Sequence, residues 1–387
     1  MMRRVGIVGV GQTHHRSHRP DVTGQEMINE AVQRALDDAG LTIEEIDAVV
    51  IGNMDHFEGI NYVDTWSIDG SGGFMKPIMK MTTGGTTGTT VAIGGYYHVA
   101  SGMFDVVLAI GWEKNSESDT TAAIATCANP IMERDFFSGA IGPLATAATG
   151  YMERYGATEE DAAIVSVREH TNALDNPYAH VRIKITVEDV LKSPMLSYPI
   201  KLLDMCPRSD GACAIIYAEE RKARQITDTP AWVRCCVTRH DYTHFGDLTL
   251  GARDVIAMPT LEAASREAYR ICKIKNPLKD FDLMELYTPS SFSGLMWMES
   301  LGVCGPGENI KLNREGIYEK YGELPVNLSG GVICTNPIGA TAMIRVAEAA
   351  LQIMKKAGKR QAPGEVRRTL STGFGGCSWT DIVILEA

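Results

Sequence analysis

Residues 81–102, Met-Thr-Thr-Gly-Gly-Thr-Thr-Gly-Thr-Thr-Val-Ala-Ile-Gly-Gly-Tyr-Tyr-His-Val-Ala-Ser-Gly, constrain the fold more than any other stretch. Residues 82–88 are small threonines and glycines suited to a turn. An apolar, helix-length segment follows at 91–99, and Asp105-Val-Val-Leu-Ala-Ile110 then reads as a buried strand. A glycine turn that opens a helix beside a strand brings backbone N–H groups to a helix N-terminus, where they hold negative charge. The same glycines also suit a helix lying close against a sheet, and the stretch by itself leaves both uses open.

In chain order, residues 5–9 read as a short buried strand, and Gly9-Val-Gly11 ends it. Residues 23–39 carry Met27, Ile28, Ala31, Val32 and Leu36 at helical spacing, and Gly40 stops that helix. Residues 46–52 form a second strand, and 53–77, without a period and rich in Gly, Asp and aromatics, read as a loop over a site or interface. Residues 116–207 interrupt the alternation with helices expected at 145–155, 158–173 and 186–191, as an insertion covering one end of a sheet. A strand resumes at 211–217, and the charged run 219–230 reads as a linker. The second half then repeats the first. A helix at 261–272, Leu278 and Phe281-Asp-Leu-Met-Glu-Leu286 match the earlier helix, Ile43 and Ile46-Asp-Ala-Val-Val-Ile51 in order and spacing. Ser329-Gly-Gly331 and Gly339 lead into a helix at 340–355, and strands at 369–376 and 379–385 close the chain. Two such halves imply a duplicated α/β fold. The boundaries expected are 1–115 with 208–228 for the first half, 116–207 for the insertion and 229–387 for the second half.

A chain of 387 residues is long enough for two core-forming halves. A hydrophobic fraction of 44% with 22% charged residues is that of a soluble globular protein. The net charge of -11 argues against nucleic acid and anionic membranes as partners. No run approaches the ~20 apolar residues of a membrane span. The first residues enter a strand without a cleavage region, and nine cysteines fall without CxxC pairs, so reduced thiols in the cytoplasm are expected.

At this level of detail the residues carry a resemblance. Gly9-Val-Gly-Gln-Thr13, the 96–114 strand region, Cys206-Pro-Arg-Ser-Asp-Gly-Ala212, residues 299–304, 327–331, Gly339-Ala-Thr341 and Gly358-Lys-Arg-Gln-Ala-Pro-Gly364 together resemble the thiolase superfamily, in its sterol-carrier-protein branch, over nearly the whole chain. That resemblance implies a five-layer αβαβα fold and a dimer built through the N-terminal halves. It also implies an acyl-CoA substrate, with coenzyme A as co-substrate and no cofactor held permanently.

The departures are at the chemistry. The family's nucleophilic cysteine falls on Gly85, its HDxF histidine on Tyr287, and its GHP histidine on or beside Asn336, where the chain is one residue short. The late catalytic cysteine has become part of Ser371-Thr-Gly-Phe-Gly-Gly376. A first reading keeps cleavage of a β-ketoacyl-CoA by CoA. Backbone N–H groups at Gly85 and in the 373–376 loop, Gly375 among them, would hold oxyanions and Asn336 would donate to one. Incoming CoA then attacks directly, or another thiol substitutes; Cys334 is the first candidate and Cys377 the second, although buried free cysteines are more often plain hydrophobes. Within the branch, Gly-Gly-Thr-Thr-Gly, Asn53-Met-Asp-His-Phe-Glu-Gly59 and Asn336-Pro-Ile-Gly resemble the thiolase subunits of benzoylsuccinyl-CoA thiolases, enzymes of anaerobic toluene breakdown. That likeness implies cleavage to benzoyl-CoA and succinyl-CoA and a small zinc-ribbon/OB-fold partner that carries the zinc. Phe57, Tyr62, Trp66, Tyr242, Phe245 and Trp297 would supply an aromatic pocket, or simply core.

A second reading is a retro-aldolase acting on a β-hydroxyacyl-CoA, as in the steroid side-chain aldolases of the superfamily, with Tyr287 at the place of one of their tyrosines. A third is a catalytically silent acyl-CoA-binding subunit. The cluster His14, His15, Arg16, His18 and Arg19 suits CoA phosphates less well than a solvated loop. His240, Asp241 and His244 have ligand-like spacing but nothing completes a site, and no metal is expected in this chain.

Overall fold

The computed structural model describes residues 2–59, 63–131, 133–135, 139–241, 254–376 and 379–387. Its strands are β1 (Val5–Gln12), β2 (Ala48–Gly52), β3 (Ile78–Lys80), β4 (Val106–Lys114), β5 (Met195–Ser197), β6 (Ile200–Lys201), β7 (Asp210–Glu219), β8 (Ala231–His240), β9 (Leu283–Glu285), β10 (Arg368–Phe374) and β11 (Trp379–Glu386). The order β3-β2-β4-β7-β1 in the first half is echoed by β9-β10-β11-β8 in the second. Pairing types agree as well. β2 runs parallel to β4 and β9 to β10, while β7 and β11 run antiparallel to both of their neighbours. The two sheets meet edge to edge where Gly6 pairs with Trp232 and Ile7 with Ala231.

Alternation along the strands creates the layers. On the outer face of the first sheet, Val8, Ile51 and Leu108 pack on Met27, Ile28, Val32 and Leu36 of the helix Gly24–Ala39. Thr23 and Glu26 form a capping box at its start, and Gly40, at φ 65°, ends it. Gly11 permits the contact, because a Cβ there would run into the backbone of Ala31 and Ala35. On the inner face, Ile7, Val50 and Val107 meet Val91, Ile93, Met343 and Val346, which also touch Leu283, Val383 and Leu385 of the second sheet. The helices Thr87–Ala100 and Ile338–Ile353 thus form a central layer between the sheets. They cross at Gly88, where a Cβ would strike the backbone N of Met343. Beyond the second sheet, Val237, Ile382 and Ile384 pack on Leu261, Ala264 and Ala268 of the helix Pro259–Cys272. Five layers result, helix, sheet, helix pair, sheet, helix.

Between β4 and β7 lie the helices Ile141–Tyr155, Glu159–Ala173 and Val187–Lys192 and the hairpin of β5 and β6. The stretch read as a linker, 219–230, holds the helix Glu220–Ile226, which Glu219 caps and whose Ala223 joins the outer core of the first half. Its charges mark a solvated helix face. No helix among the described residues is long and apolar enough to cross a membrane.

Candidate active site

The start of the helix Thr87–Ala100, the turn before Ile338–Ile353, the loop after β9 and the end of β10 converge on one cavity of about 400 Å³. The first half of the insertion and the segment before β7 complete its walls. Gly85, Tyr287, Asn336 and Gly375 all line it, so residues as far apart as 85 and 375 in sequence meet there.

Asn336 is the most firmly held of these. Its backbone N–H donates to Ser209 Oγ at 3.1 Å, and its carbonyl accepts from Ser209 N–H at 3.2 Å and from Asn115 Nδ2 at 3.1 Å. Its side chain accepts from Thr341 Oγ1 at 2.8 Å and donates to Cys206 Sγ at 3.3 Å. Tyr287 donates its hydroxyl to Asn336 Oδ1 at 3.5 Å, a long and weak contact that a substrate oxygen can replace. Its ring leans on Phe374, which in turn lies tilted against Trp297 with ring centroids 4.7 Å apart. Burial pushes the Tyr287 phenol far above its ordinary value, so the group is a proton donor at neutral pH.

The two glycine positions differ. A Cβ on Gly85 would lie well inside contact distance of the Phe374 carbonyl oxygen, so the 374–376 loop occupies the space a cysteine side chain would need. Gly375 lines the same cavity, yet its N–H donates to Trp379 O at 2.9 Å. That N–H is spent on the strand ladder and is not a free oxyanion donor, which corrects the expectation for it.

Among the thiols the structure corrects the sequence reading. Cys334 is fully buried between Ala173 and Ala179, outside the cavity, and burial drives its thiol well up. Two residues of sequence from Asn336 carry it to the opposite side of the turn. Cys377 lies outside the described residues. Among the described residues, Cys206 and Cys127 are the thiols that line the cavity. Burial raises both, Cys206 to about 12, so neither is a ready nucleophile. Cys206 was legible as the first residue of the Cys206-Pro-Arg-Ser-Asp-Gly-Ala212 run, but nothing in that run says which way the thiol points.

Behind the cavity, Glu113 is fully buried and its Oε2 accepts from the N–H groups of Met54 and Gly339, both at 3.0 Å. Burial and the neighbouring Glu58 hold its carboxyl well above the usual range. The segment after β2 and the start of the helix Ile338–Ile353 are thus both tied to this one acid. Asn115 also lines the cavity, and its Oδ1 is buried without a partner among the described residues.

The expected aromatic pocket changes. Phe57 packs behind the wall with Met54 and Ile338, Trp297 stands behind Phe374, and Trp66 is exposed at a separate hollow. Tyr62, Tyr242 and Phe245 lie outside the described residues. Among the described residues, Tyr287 and Phe374 are the aromatic lining. The basic cluster divides: His14, Arg16 and His18 are exposed, as a solvated loop would have them, while Arg19 pairs with Asp21 and Glu30 and buried His15 is lowered to about 3. His240 stands beside Trp379, His244 lies outside the described residues, and among the described residues no three His, Cys, Asp or Glu side chains gather as a metal site needs.

Residues 5–194 match the family described as thiolase, N-terminal domain, and residues 247–386 that described as thiolase C-terminal domain-like. The acetyl-CoA acetyltransferase of Methanothermobacter thermautotrophicus is 35% identical over 379 residues, covering 96% of this chain and 97% of its own. Benzoylsuccinyl-CoA thiolase subunit BbsB of Thauera aromatica is 28% identical over 390 residues, covering 97% and 96%. Among solved structures, the Ltp2-ChsH2(DUF35) aldolase superposes with a TM-score of 0.85 at 26% identity, over 100% of this chain and 98% of that one.

Proposed function

The chain belongs to the thiolase family, and on that premise we propose that it cleaves a β-ketoacyl-CoA with CoA while forming no acyl-enzyme at the start of its first central helix. The observation that carries this is the meeting of Gly85, Tyr287 and Asn336 in one cavity whose described thiols, Cys206 and Cys127, are raised, and where a Cβ at Gly85 would meet the Phe374 carbonyl. In this reading the thiol of CoA adds to the β-carbonyl carbon and its proton leaves to solvent. The Cα–Cβ bond then breaks, and its electron pair is delocalised onto the thioester oxygen as an enolate, which takes up a proton at Cα. Two acyl-CoA thioesters result. Tyr287, kept protonated by burial, donates to one developing oxyanion; Asn336 Nδ2, turning from Cys206, donates to the other.

The substrate proposed is 2-benzoylsuccinyl-CoA, giving benzoyl-CoA and succinyl-CoA, a reading supported by the likeness to the Thauera aromatica subunit. A small zinc-ribbon/OB-fold protein is the proposed partner and the place of any zinc. A homodimer through the N-terminal halves is proposed as well. In its support, β3 is an edge strand with Ile78 and Met79 exposed, and Trp66, Phe74 and Met75 are also exposed in the same half.

The aldolase likeness together with a tyrosine in the cavity favours a second reading, retro-aldol cleavage of a β-hydroxyacyl-CoA. Incubation with β-keto- and β-hydroxyacyl-CoAs, with and without free CoA, decides between them. Product formation only from the keto substrate and only with CoA is the expected result. CoA-independent release of an aldehyde or ketone from the hydroxy substrate would replace it with the second reading.

A further inference from the structure

The cavity has one charged side chain among its described lining residues, Arg208. Its backbone is pinned on both sides. Cys206 N–H donates to Pro289 O at 2.9 Å, Pro207 restricts the next φ, and Ser209 exchanges two hydrogen bonds with the backbone of Asn336. Ser209 Oγ is further held by His180 Nδ1 at 2.9 Å. The guanidinium therefore springs from a fixed point beside Asn336, the best-held polar group of the site.

In a chain with 48 acidic residues, Arg208 has no ion pair or hydrogen-bonded partner among the described residues. Arg19, Arg345 and Arg360 are all paired with carboxylates. The other described lining residues are apolar or neutral, Met54, Ile124, Ile141, Leu144 and Phe374 among them. An exposed arginine in a cavity whose other described lining residues are uncharged is placed to meet an anion that arrives with the ligand. The planar fork of arginine suits a carboxylate in two-point contact.

We propose that Arg208 binds a carboxylate carried by the acyl chain, so that the cavity selects acyl-CoA substrates with a free carboxylate over neutral ones. The inference rests on reading this cavity as the acyl site. The carboxylate source is favoured over CoA phosphate because Arg208 is rooted next to Asn336, where the thioester would react, and the phosphates sit at the far end of the pantetheine arm.

Binding rather than turnover tests it, which separates it from the proposed cleavage chemistry. Calorimetric titration of the protein, with its partner if one copurifies, would compare succinyl-CoA with butyryl-CoA, two thioesters without a β-carbonyl to cleave. The wild-type protein is expected to bind succinyl-CoA about tenfold to a hundredfold more tightly, the range for one charge-assisted pair. In Arg208→Gln the ratio of the two dissociation constants should fall to about one, and Arg208→Lys should retain part of it. No preference in the wild-type protein overturns the proposal. So does a variant in which both ligands weaken equally and the ratio survives, because that places the guanidinium on a phosphate of CoA.

Discussion

The helices Thr87–Ala100 and Ile338–Ile353 hold equivalent places in two halves with one strand order, yet they are fastened by opposite means. The first has no carboxylate, ammonium or guanidinium group. Its start is tied by hydroxyls: Thr83 Oγ1 to Thr90 Oγ1 at 2.7 Å, and Thr89 and Thr90 to Asp381 Oδ2 at 2.7 and 3.1 Å. The second is tied by buried ions. Arg345 reaches Glu285 at 2.9 Å, and Glu348 takes Arg360 Nε at 2.8 Å. A hydroxyl bond contributes about 1 kcal/mol and can be exchanged piecemeal, whereas removing one member of a buried ion pair strands the other at about 3–5 kcal/mol. The start of the first helix is therefore the place where side chains can change at small cost to stability. There Gly85 lies under the 374–376 loop, and a Cβ at that position would meet the Phe374 carbonyl. The second helix anchors Asn336 and admits little variation.

The sharpest way to break this comparison is Arg345→Met. It leaves Glu285 buried without its cation and should cost about 3–5 kcal/mol in denaturant unfolding. Asp381→Asn at the first helix should cost about 1 kcal/mol, because the threonine hydroxyls still find an acceptor. Equal losses would show that the two helices are not held differently.

Next in size, Tyr287→Phe should lower turnover about a hundredfold with little change in substrate affinity, the scale for loss of one oxyanion donor. Wild-type turnover in this variant would make Tyr287 packing alone and move the chemistry away from the Asn336 side of the cavity.

Gly85→Cys should be destabilised by about 1–3 kcal/mol, because its Cβ must push back the Phe374 carbonyl. Intact-mass measurement after incubation with an acyl-CoA should find no adduct on the new thiol. An acyl-enzyme in a variant of wild-type stability would mean that the first helix still has room for the family's nucleophile.

The smallest effect concerns pH. Glu169 is fully buried, and burial raises its carboxyl from 4.5 to about 7. Between those values the folded state binds more protons than the unfolded one, so this group's contribution is complete below pH 4.5 and is lost as pH rises through 7. Glu169→Gln should flatten that part of the curve of unfolding free energy against pH. An unchanged curve would assign the slope to the other raised acids around the second helix, such as Glu285.

Much of the frame could be read without coordinates, and particular residues show why. Thr23, Glu26 and Gly40 announce the ends of the first helix through hydrogen bonds made within a few residues. The matched spacing of Ile46-Asp-Ala-Val-Val-Ile51 and Phe281-Asp-Leu-Met-Glu-Leu286 reported the duplication that the strand order repeats. Tyr287 and Asn336 followed from motif positions and do meet in the cavity, 3.5 Å apart. The thiols did not follow in this way. Cys334 was chosen for its nearness to Asn336 along the chain, but a tight turn sends residues two apart to different sides, and Cys206, 130 positions away, makes the contact.

What the sequence by itself determined, then, are the features written in local periods: the apolar strands, the capped helices, the repeat, and the small residues at 84–88 that let two helices cross. The tertiary structure alone decided which groups are spent and which are left over. It spent the Gly375 N–H on Trp379 and the Arg19 guanidinium on Asp21 and Glu30, and left buried Asn115 Oδ1 and exposed Arg208 without partners among the described residues. The physical reason is range. Backbone geometry acts over two to four residues, whereas a hydrogen bond or ion pair depends on a separation near 3 Å between atoms whose places along the chain say nothing about it.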